Sequence, residues 1–198
     1  MTPAPSNTDD ADRQDMARLA AGHDASLNEL MDRHGERLFH YLLRLLRNES
    51  DAADIAQESF VRVYQHRAEF DGERRFSTWL YTIATNLARD RHRWRDRRPE
   101  VSLENENAET GQSFREHLPE PNADPSESLV VKERGDLVRQ AVSALPEDLR
   151  VPLVLSAYEE QSHAEIGTVL GCTAKAVEMK LYRARQELRK RLALVFAV

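Results

Sequence analysis

The sequence predicts an all-α protein built as two small helical domains joined by an acidic flexible linker. Three observations carry this. Apolar residues recur at three- and four-residue spacing along most of the chain, with no alternating stretch that would mark a strand and no fixed-period repeat. Residues 99–128 hold eight Asp and Glu against Arg115 alone, together with Pro99, Pro119, Pro121 and Pro125, a composition too polar to fold by itself. Positive charge is concentrated on both sides of that segment, although the chain as a whole carries −6.

The 198 residues, 40% hydrophobic and 31% charged, suffice for one large domain or two small ones. No apolar run approaches the roughly 18 residues of a membrane span, and the start "MTPAPSNTDDADRQD" is neither basic nor apolar. The expectation is a cytoplasmic protein with no membrane insertion and a disordered N-terminal tail over 1–22. The lone Cys172 can form no intramolecular disulfide and reads as a small packing residue. Seven His show no metal-ligand spacing and there is no Gly-rich phosphate loop. Catalytic residues, a metal and cofactors are therefore not expected, and the chain is not read as an enzyme.

The elements follow in order. Leu27, Leu30, Met31, His34, Leu38, Leu42 and Leu45 make an amphipathic helix ending near "RNES", after which Asp51 is placed as the cap of a second helix. In "DAADIAQESFVRVYQ" the inward stripe is Ala52, Ile55, Ser59 and Val63. Asp54, Gln57, Glu58, Val61 and Tyr64 lie around the rest, as a contact surface or simply a solvated face. The stretch "FSTWLYTIATNLARDRHRWRDRRP" then gives a helix with Ser77 as its N-cap and Pro99 as its stop. Leu80, Ile83, Ala84 and Leu87 point inward. Trp79, Thr82, Asn86, Arg89 and Arg93 share another face, an aromatic, a hydroxyl, an amide and two guanidiniums suited to stacking on bases, reaching base edges and pairing with phosphate. Trp79 by itself reads as core, since a single Trp at a helix start is core more often than not, and it is the arginines that make the combined pattern specific. From Arg89 to Arg98, six Arg against two Asp leave +4.

In the C-terminal half a helix begins at Pro146, and Pro152, about six residues in, removes a backbone donor and predicts a kink or local loosening. Ser162 and Glu165 have capping-box spacing, Gly171 is placed as a left-handed helix end, and Thr173 as the next cap. A short helix, a Gly turn and a longer basic helix make the helix-turn-helix pattern, with Ile166, Leu170, Val177 and Leu181 locking the pair and Lys175, Lys180, Arg183 and Arg185 left for DNA. From Lys175 to Arg191, seven Lys and Arg against two Glu leave +5. Two basic blocks flanking an acidic tether fit two modules that grip one polyanion. Charge alone fits two solvated helix faces as well, and a generic αα-hairpin is the alternative to the DNA-binding motif.

Over about Asp24 to Leu192 the chain resembles the extracytoplasmic-function (ECF) sigma factors of the sigma-70 family. "DAADIAQESFVRVYQ" is similar to the region 2.2 helix, "FSTWLYTIATNLARDRHRWRDRR" to regions 2.3 and 2.4, and "LPEDLRVPLVLSAYEEQSHAEIG" with the following motif to region 4. The resemblance implies a division into a region 2 domain over 23–98, the acidic linker over 99–128 and a region 4 domain over 129–198. It implies contact with the β′ clamp helices of core RNA polymerase through Asp51, Asp54, Gln57, Glu58, Val61 and Tyr64, with region 4 near the β flap and the linker threading toward the RNA exit path. It implies a loop over 70–78 that forms a pocket for a flipped −10 base, with Phe76, Thr78, Trp79, Thr82, Asn86, Arg89, Arg93, Arg97 and Arg98 at the single-stranded −10 element. It implies Thr173, Lys175, Glu178, Met179, Lys180, Tyr182, Arg183 and Arg185 at the −35 duplex, and an anti-sigma protein as a further partner. Glu178 and Met179 depart from the basic residue and Ser that many members carry, so the −35 sequence does not transfer. The competing reading is a stand-alone helix-turn-helix repressor, which needs a dimer and has no use for the first three helices.

Overall fold

Every regular element in the described part of the chain is helical. The structure, a computed structural model, describes residues 7–97, 135 and 137–196. In chain order they form α1 (Asn7–Ala20), α2 (Ser26–Leu46), α3 (Glu49–Gln65), a single 3-10 turn (Arg67–Glu69), α4 (Phe76–Arg97), α5 (137–143), α6 (Glu147–Ala157), α7 (His163–Leu170) and α8 (Ala174–Phe196). The acidic segment 99–128 lies outside the described residues.

Helices α1 to α4 form the first bundle. The stripe read on α2 is its buried side, with Leu30, Leu38, Leu42 and Leu45 inside and Tyr41 added to them, its hydroxyl 2.7 Å from Thr85 Oγ1 on α4. Met31 is exposed. Helix α2 stops because Arg47 adopts a left-handed conformation, φ 57°, from which its N–H bonds the Leu43 carbonyl. On α3 the predicted Ala52, Ile55, Ser59 and Val63 are all buried. The cap, however, is Asn48, whose side chain accepts from the Asp51 N–H at 2.8 Å; Asp51 sits one turn inside. Ser77 is likewise inside α4, whose first turn is bonded back to the Arg75 carbonyl.

The expectation of a disordered tail over 1–22 is corrected by α1. Its Met16 and Leu19 are buried, and Asp9, Asp12 and Asp15 form a second inward row. Asp12 binds Arg33 Nε at 2.9 Å and His34 Nε2 at 2.8 Å, Asp15 binds the same Arg33, and Asp9 lies 3.0 Å from Arg75 Nε. The spacing of three residues sets Asp9, Asp12 and Asp15 on one side of the helix, where they meet these arginines.

The second unit, α5 to α8, follows its sequence signals closely. Ser162 and Glu165 make a complete capping box, Gly171 has φ 66°, and the Thr173 hydroxyl accepts from the Ala176 N–H at 3.2 Å. Ile166, Val177 and Leu181 are buried between α7 and α8, with Leu170 packed at their edge. Gly167 is required by close approach: a Cβ there would lie 2.6 Å from the Cys172 carbonyl oxygen. Pro152 leaves the helix continuous to Ala157.

Candidate nucleic-acid interface

Helix α8 offers its outer side to solvent. Val177, Leu181 and Ala184 are buried beneath it, which turns Lys175, Glu178, Met179 and Tyr182 outward at helical spacing. Met179 and Tyr182 are 44% and 59% exposed, and the Tyr182 hydroxyl accepts from Gln186 Nε2 at 3.2 Å. Lys175 Nζ lies 2.8 Å from Glu178 Oε2, and this bond holds the Glu178 carboxyl below its ordinary range. Arg183 and Arg185 are exposed and have no ion-pair partner among the described residues. Lys180 leans toward α6, 3.4 Å from Asp148, and Thr173 is occupied as a cap. Six of the eight expected positions thus face outward, with Lys175 and Glu178 paired to each other.

The corresponding side of α4 is arranged differently. Phe76 is only 1% exposed, its ring packed on His34 at 5.1 Å and on Phe70 at 6.2 Å, so it is a core residue and not a DNA contact. Trp79 is half-buried in the same aromatic nest, 5.2 Å from Phe70. Thr82 bonds back to the Thr78 carbonyl. Asn86 and Arg93 are exposed, and Arg89 is half-buried with its Nε 3.3 Å from Glu147 on α6. The Arg97 side chain and Arg98 lie outside the described residues.

The second unit covers this face. The connection between α6 and α7 presses Glu159 and Gln161, both buried, against α4. Thr78 Oγ1 donates to Gln161 Oε1 at 3.0 Å, Gln161 Nε2 reaches Ser77 Oγ at 3.4 Å, and the Tyr81 hydroxyl donates to Glu159. Burial, then the Glu159 carboxylate, pushes the Tyr81 phenol far above its ordinary range. Arg75 Nη1 lies 3.1 Å from Glu165, so one guanidinium joins α1 to the first helix of the helix-turn-helix. Arg44 stacks over the Tyr158 ring at 4.2 Å.

On α3, Asp54, Gln57 and Val61 are exposed in one row, Glu58 is half-buried and paired with Arg62 at 2.8 Å, and Tyr64 is covered by the Arg67 guanidinium. Asp51 departs from expectation: it is buried and 3.0 Å from Arg91, so it ties α3 to α4 instead of facing a partner. A groove of about 370 Å³ runs beside the row, lined by Asp54, Ile55, Glu58, Leu87, Asp90 and Arg91.

Sequence reading missed Glu159, Gln161 and the acids of α1. Periodicity speaks only for residues inside an element, and Glu159 and Gln161 lie in a connection whose burial depends on a distant helix.

The geometry is that of two linked helical units, one ending in a helix-turn-helix, and comparison with known proteins identifies both. The Sigma-70 region 2 model matches residues 30–98 and the Sigma-70 region 4 model residues 135–188. The ECF RNA polymerase sigma factor SigW of Bacillus subtilis is 34% identical over 88% of this chain and 93% of its own. The RNA polymerase sigma-H factor of Pseudomonas aeruginosa is 31% identical over 93% and 95%. Among solved structures, CnrH in complex with the cytosolic domain of CnrY superposes with a TM-score of 0.67 at 27% identity, covering 93% of this chain and 98% of that one. The sigma factor RpoE in complex with the anti-sigma factor NepR from Bartonella quintana shares the fold, with a TM-score of 0.61 at 18% identity over 83% and 95%. The chain belongs to the extracytoplasmic-function sigma factors of the sigma-70 family.

Proposed function

We propose that this sigma factor binds core RNA polymerase and directs it to promoters, docking through α3, opening the −10 element with α4 and reading the −35 duplex with α8. The observation that carries the reading is the α7–α8 pair: a capped short helix, a left-handed Gly171, and a basic helix whose outer side is left open. Asp54, Gln57, Glu58, Val61 and Tyr64 make the polymerase contact, beside the groove between α3 and α4. The residues of α4 at the −10 strand are Trp79, Thr82, Asn86, Arg89 and Arg93, followed by Arg97 and Arg98, with Thr78 joining them once the second unit has moved away. Extruding a base costs a few kcal/mol, which stacking on Trp79 and phosphate pairing with the arginines offset.

The division at 23–98, 99–128 and 129–198 follows the same reading, with region 2 extended by α1. The factor works without a cofactor or a catalytic step of its own. It acts in the cytoplasm; no described helix is long and apolar enough to cross a membrane. An anti-sigma protein as partner is supported by the likeness to CnrH, which was solved in complex with the cytosolic domain of CnrY.

The test is runoff transcription on fragmented genomic DNA of the host with core polymerase, with and without this protein, followed by sequencing of transcript starts. New starts sharing two upstream elements are expected. No new starts, together with tight duplex binding by the protein alone, would replace this reading with that of a helix-turn-helix repressor.

A further inference from the structure

The outer side of α8 holds an acid where a polyanion has to approach. Glu178 stands in the middle of the exposed row, in the second turn of the helix, flanked by Lys175 one turn before it and by Met179 and Tyr182 on the C-terminal side. Carboxylates near phosphate are repelled, so Glu178 at this place costs affinity unless it meets a donor. The major groove offers one kind of donor a carboxylate can single out among base edges without also accepting an adjacent acceptor: the exocyclic amine of cytosine. Adenine presents its amine beside N7, an acceptor that suits an amide and repels a carboxylate.

Two features fit Glu178 for this role. Lys175 lies 2.8 Å from one carboxylate oxygen and offsets part of its charge, while the second oxygen has no bond among the described residues and is left to accept from a base. Beside it, Met179 is apolar surface, a poor partner for phosphate and suited to the floor of a groove, where a thymine methyl provides apolar contact, and Tyr182 adds an exposed ring. The phosphate contacts fall to residues outside this row, Arg183 and Arg185 among them.

We propose that Glu178 is a specificity determinant of the −35 contact, its carboxylate accepting from the N4 amine of a cytosine in the major groove. This rests on the reading of the chain as a promoter-binding sigma factor and adds a base to it.

The test uses the full-length protein with core polymerase on a promoter recovered by the runoff experiment, its upstream element carrying each of the four bases in turn at every position. Wild-type holoenzyme is expected to prefer cytosine, on one strand, at one position by on the order of tenfold. Glu178→Ala removes the preference at that position and leaves the others. Glu178→Gln, nearly identical in shape, moves it toward adenine, since an amide can donate to N7 and accept from N6 together. Melting curves of both variants, whose substituted side chain is exposed, are expected to match wild type. An unchanged base profile for both variants overturns the inference, as does a uniform gain in initiation on every sequence, which would make Glu178 a repulsive charge and nothing more. Either result leaves initiation by the wild-type protein intact, so the functional reading stands or falls separately, on the runoff experiment.

Discussion

The two surfaces proposed to meet promoter DNA are kept in opposite conditions. Helix α8 shows its row to solvent, whereas α4 has Thr78 and Tyr81 buried under the connection between α6 and α7 and Arg89 tied to Glu147. The open surface depends on packing inside one unit; the covered one depends on polar bonds between two, set beside an apolar junction where Val151 of α6 joins Leu45, Leu46 and Ala88. Those bonds have the character of an interface that can part. Buried hydroxyls and carboxylates paired across it regain water when it opens, and Arg150 at its edge has an Nε with no partner among the described residues. Burial, then neighbouring Arg47, also lowers the Arg150 pKa, a sign that the packed arrangement holds this charge at a cost.

The largest effect is expected where the open surface is built. Gly167→Ala sets a methyl 2.6 Å from the Cys172 carbonyl oxygen, backbone against which nothing can rotate away. Overpacking of this kind costs about 1–3 kcal/mol, and the strain falls on the turn that orients α8. Thermal unfolding is expected to show a lower midpoint, and initiation from any promoter that needs the −35 contact is expected to drop. An unchanged midpoint would mean that the α7–α8 angle is softer than the contact implies.

Breaking the covered surface has a different consequence, and a smaller one for the unfolding midpoint, because the units can part. Glu159→Ala with Gln161→Ala leaves the Tyr81 and Thr78 hydroxyls buried without their partners. Each such group costs on the order of 1–3 kcal/mol while it stays buried, and that cost disappears if the units separate. The variant is expected to open instead of unfolding. Labels at Ala53 on α3 and Arg189 on α8, in a Cys172→Ser background, are expected to report a longer distance with an unaltered helical content. A distance equal to that of the parent would show that the remaining contacts hold the units together.

Much of this comparison was legible in the sequence, and unevenly so. The helix-turn-helix was readable nearly residue by residue, because capping box, left-handed glycine and cap are local rules that act within a few residues. The inward stripes of α2 and α3 were readable for the same reason. What stayed hidden is non-local. Asp51 reads as a cap and an outward acid, but Asn48 takes the cap and Arg91, 40 residues away, draws Asp51 inward. Phe76 and Thr78 read as base contacts, yet one is consumed by an aromatic nest and the other by Gln161, 83 residues away. The α1 acids carry no apolar period of their own beyond Met16 and Leu19, so their burial emerges only from the arginines they meet.

A smaller effect separates charge from packing on the open surface. Arg183 is exposed and anchors nothing in the fold, so Arg183→Ala is expected to leave the unfolding midpoint within about 0.5 kcal/mol of wild type. Holoenzyme binding to promoter DNA is expected to weaken by a similar factor on every −35 sequence, with the slope of log affinity against log salt falling by about one. A change of base preference in place of a change of slope would make Arg183 a reader of bases.

The smallest effect, and the one that touches both surfaces together, is the titration of Glu165. Burial raises its pKa, but the bonds from Ser162 and the guanidinium of Arg75 outweigh it and hold the carboxyl below its ordinary range. A carboxyl whose pKa is depressed in the folded protein contributes stability above its unfolded value and loses it as the pH falls through the folded one. At neutral pH the contribution is therefore complete, and it disappears only in acid. Because Glu165 serves both as the capping box of α7 and as the partner of Arg75, protonation loosens the start of the helix-turn-helix and its tie to α4 and α1 at the same time. Glu165→Gln keeps one acceptor oxygen, enough for the Ser162 N–H, and removes the charge and the acceptor that meets Arg75, so it is expected to lengthen the label distance modestly at pH 7 and to flatten its change in acid. If the substituted protein opens in acid as steeply as the parent, the carboxyl that drives the transition lies elsewhere, with Asp9 on the same Arg75 as the next to substitute.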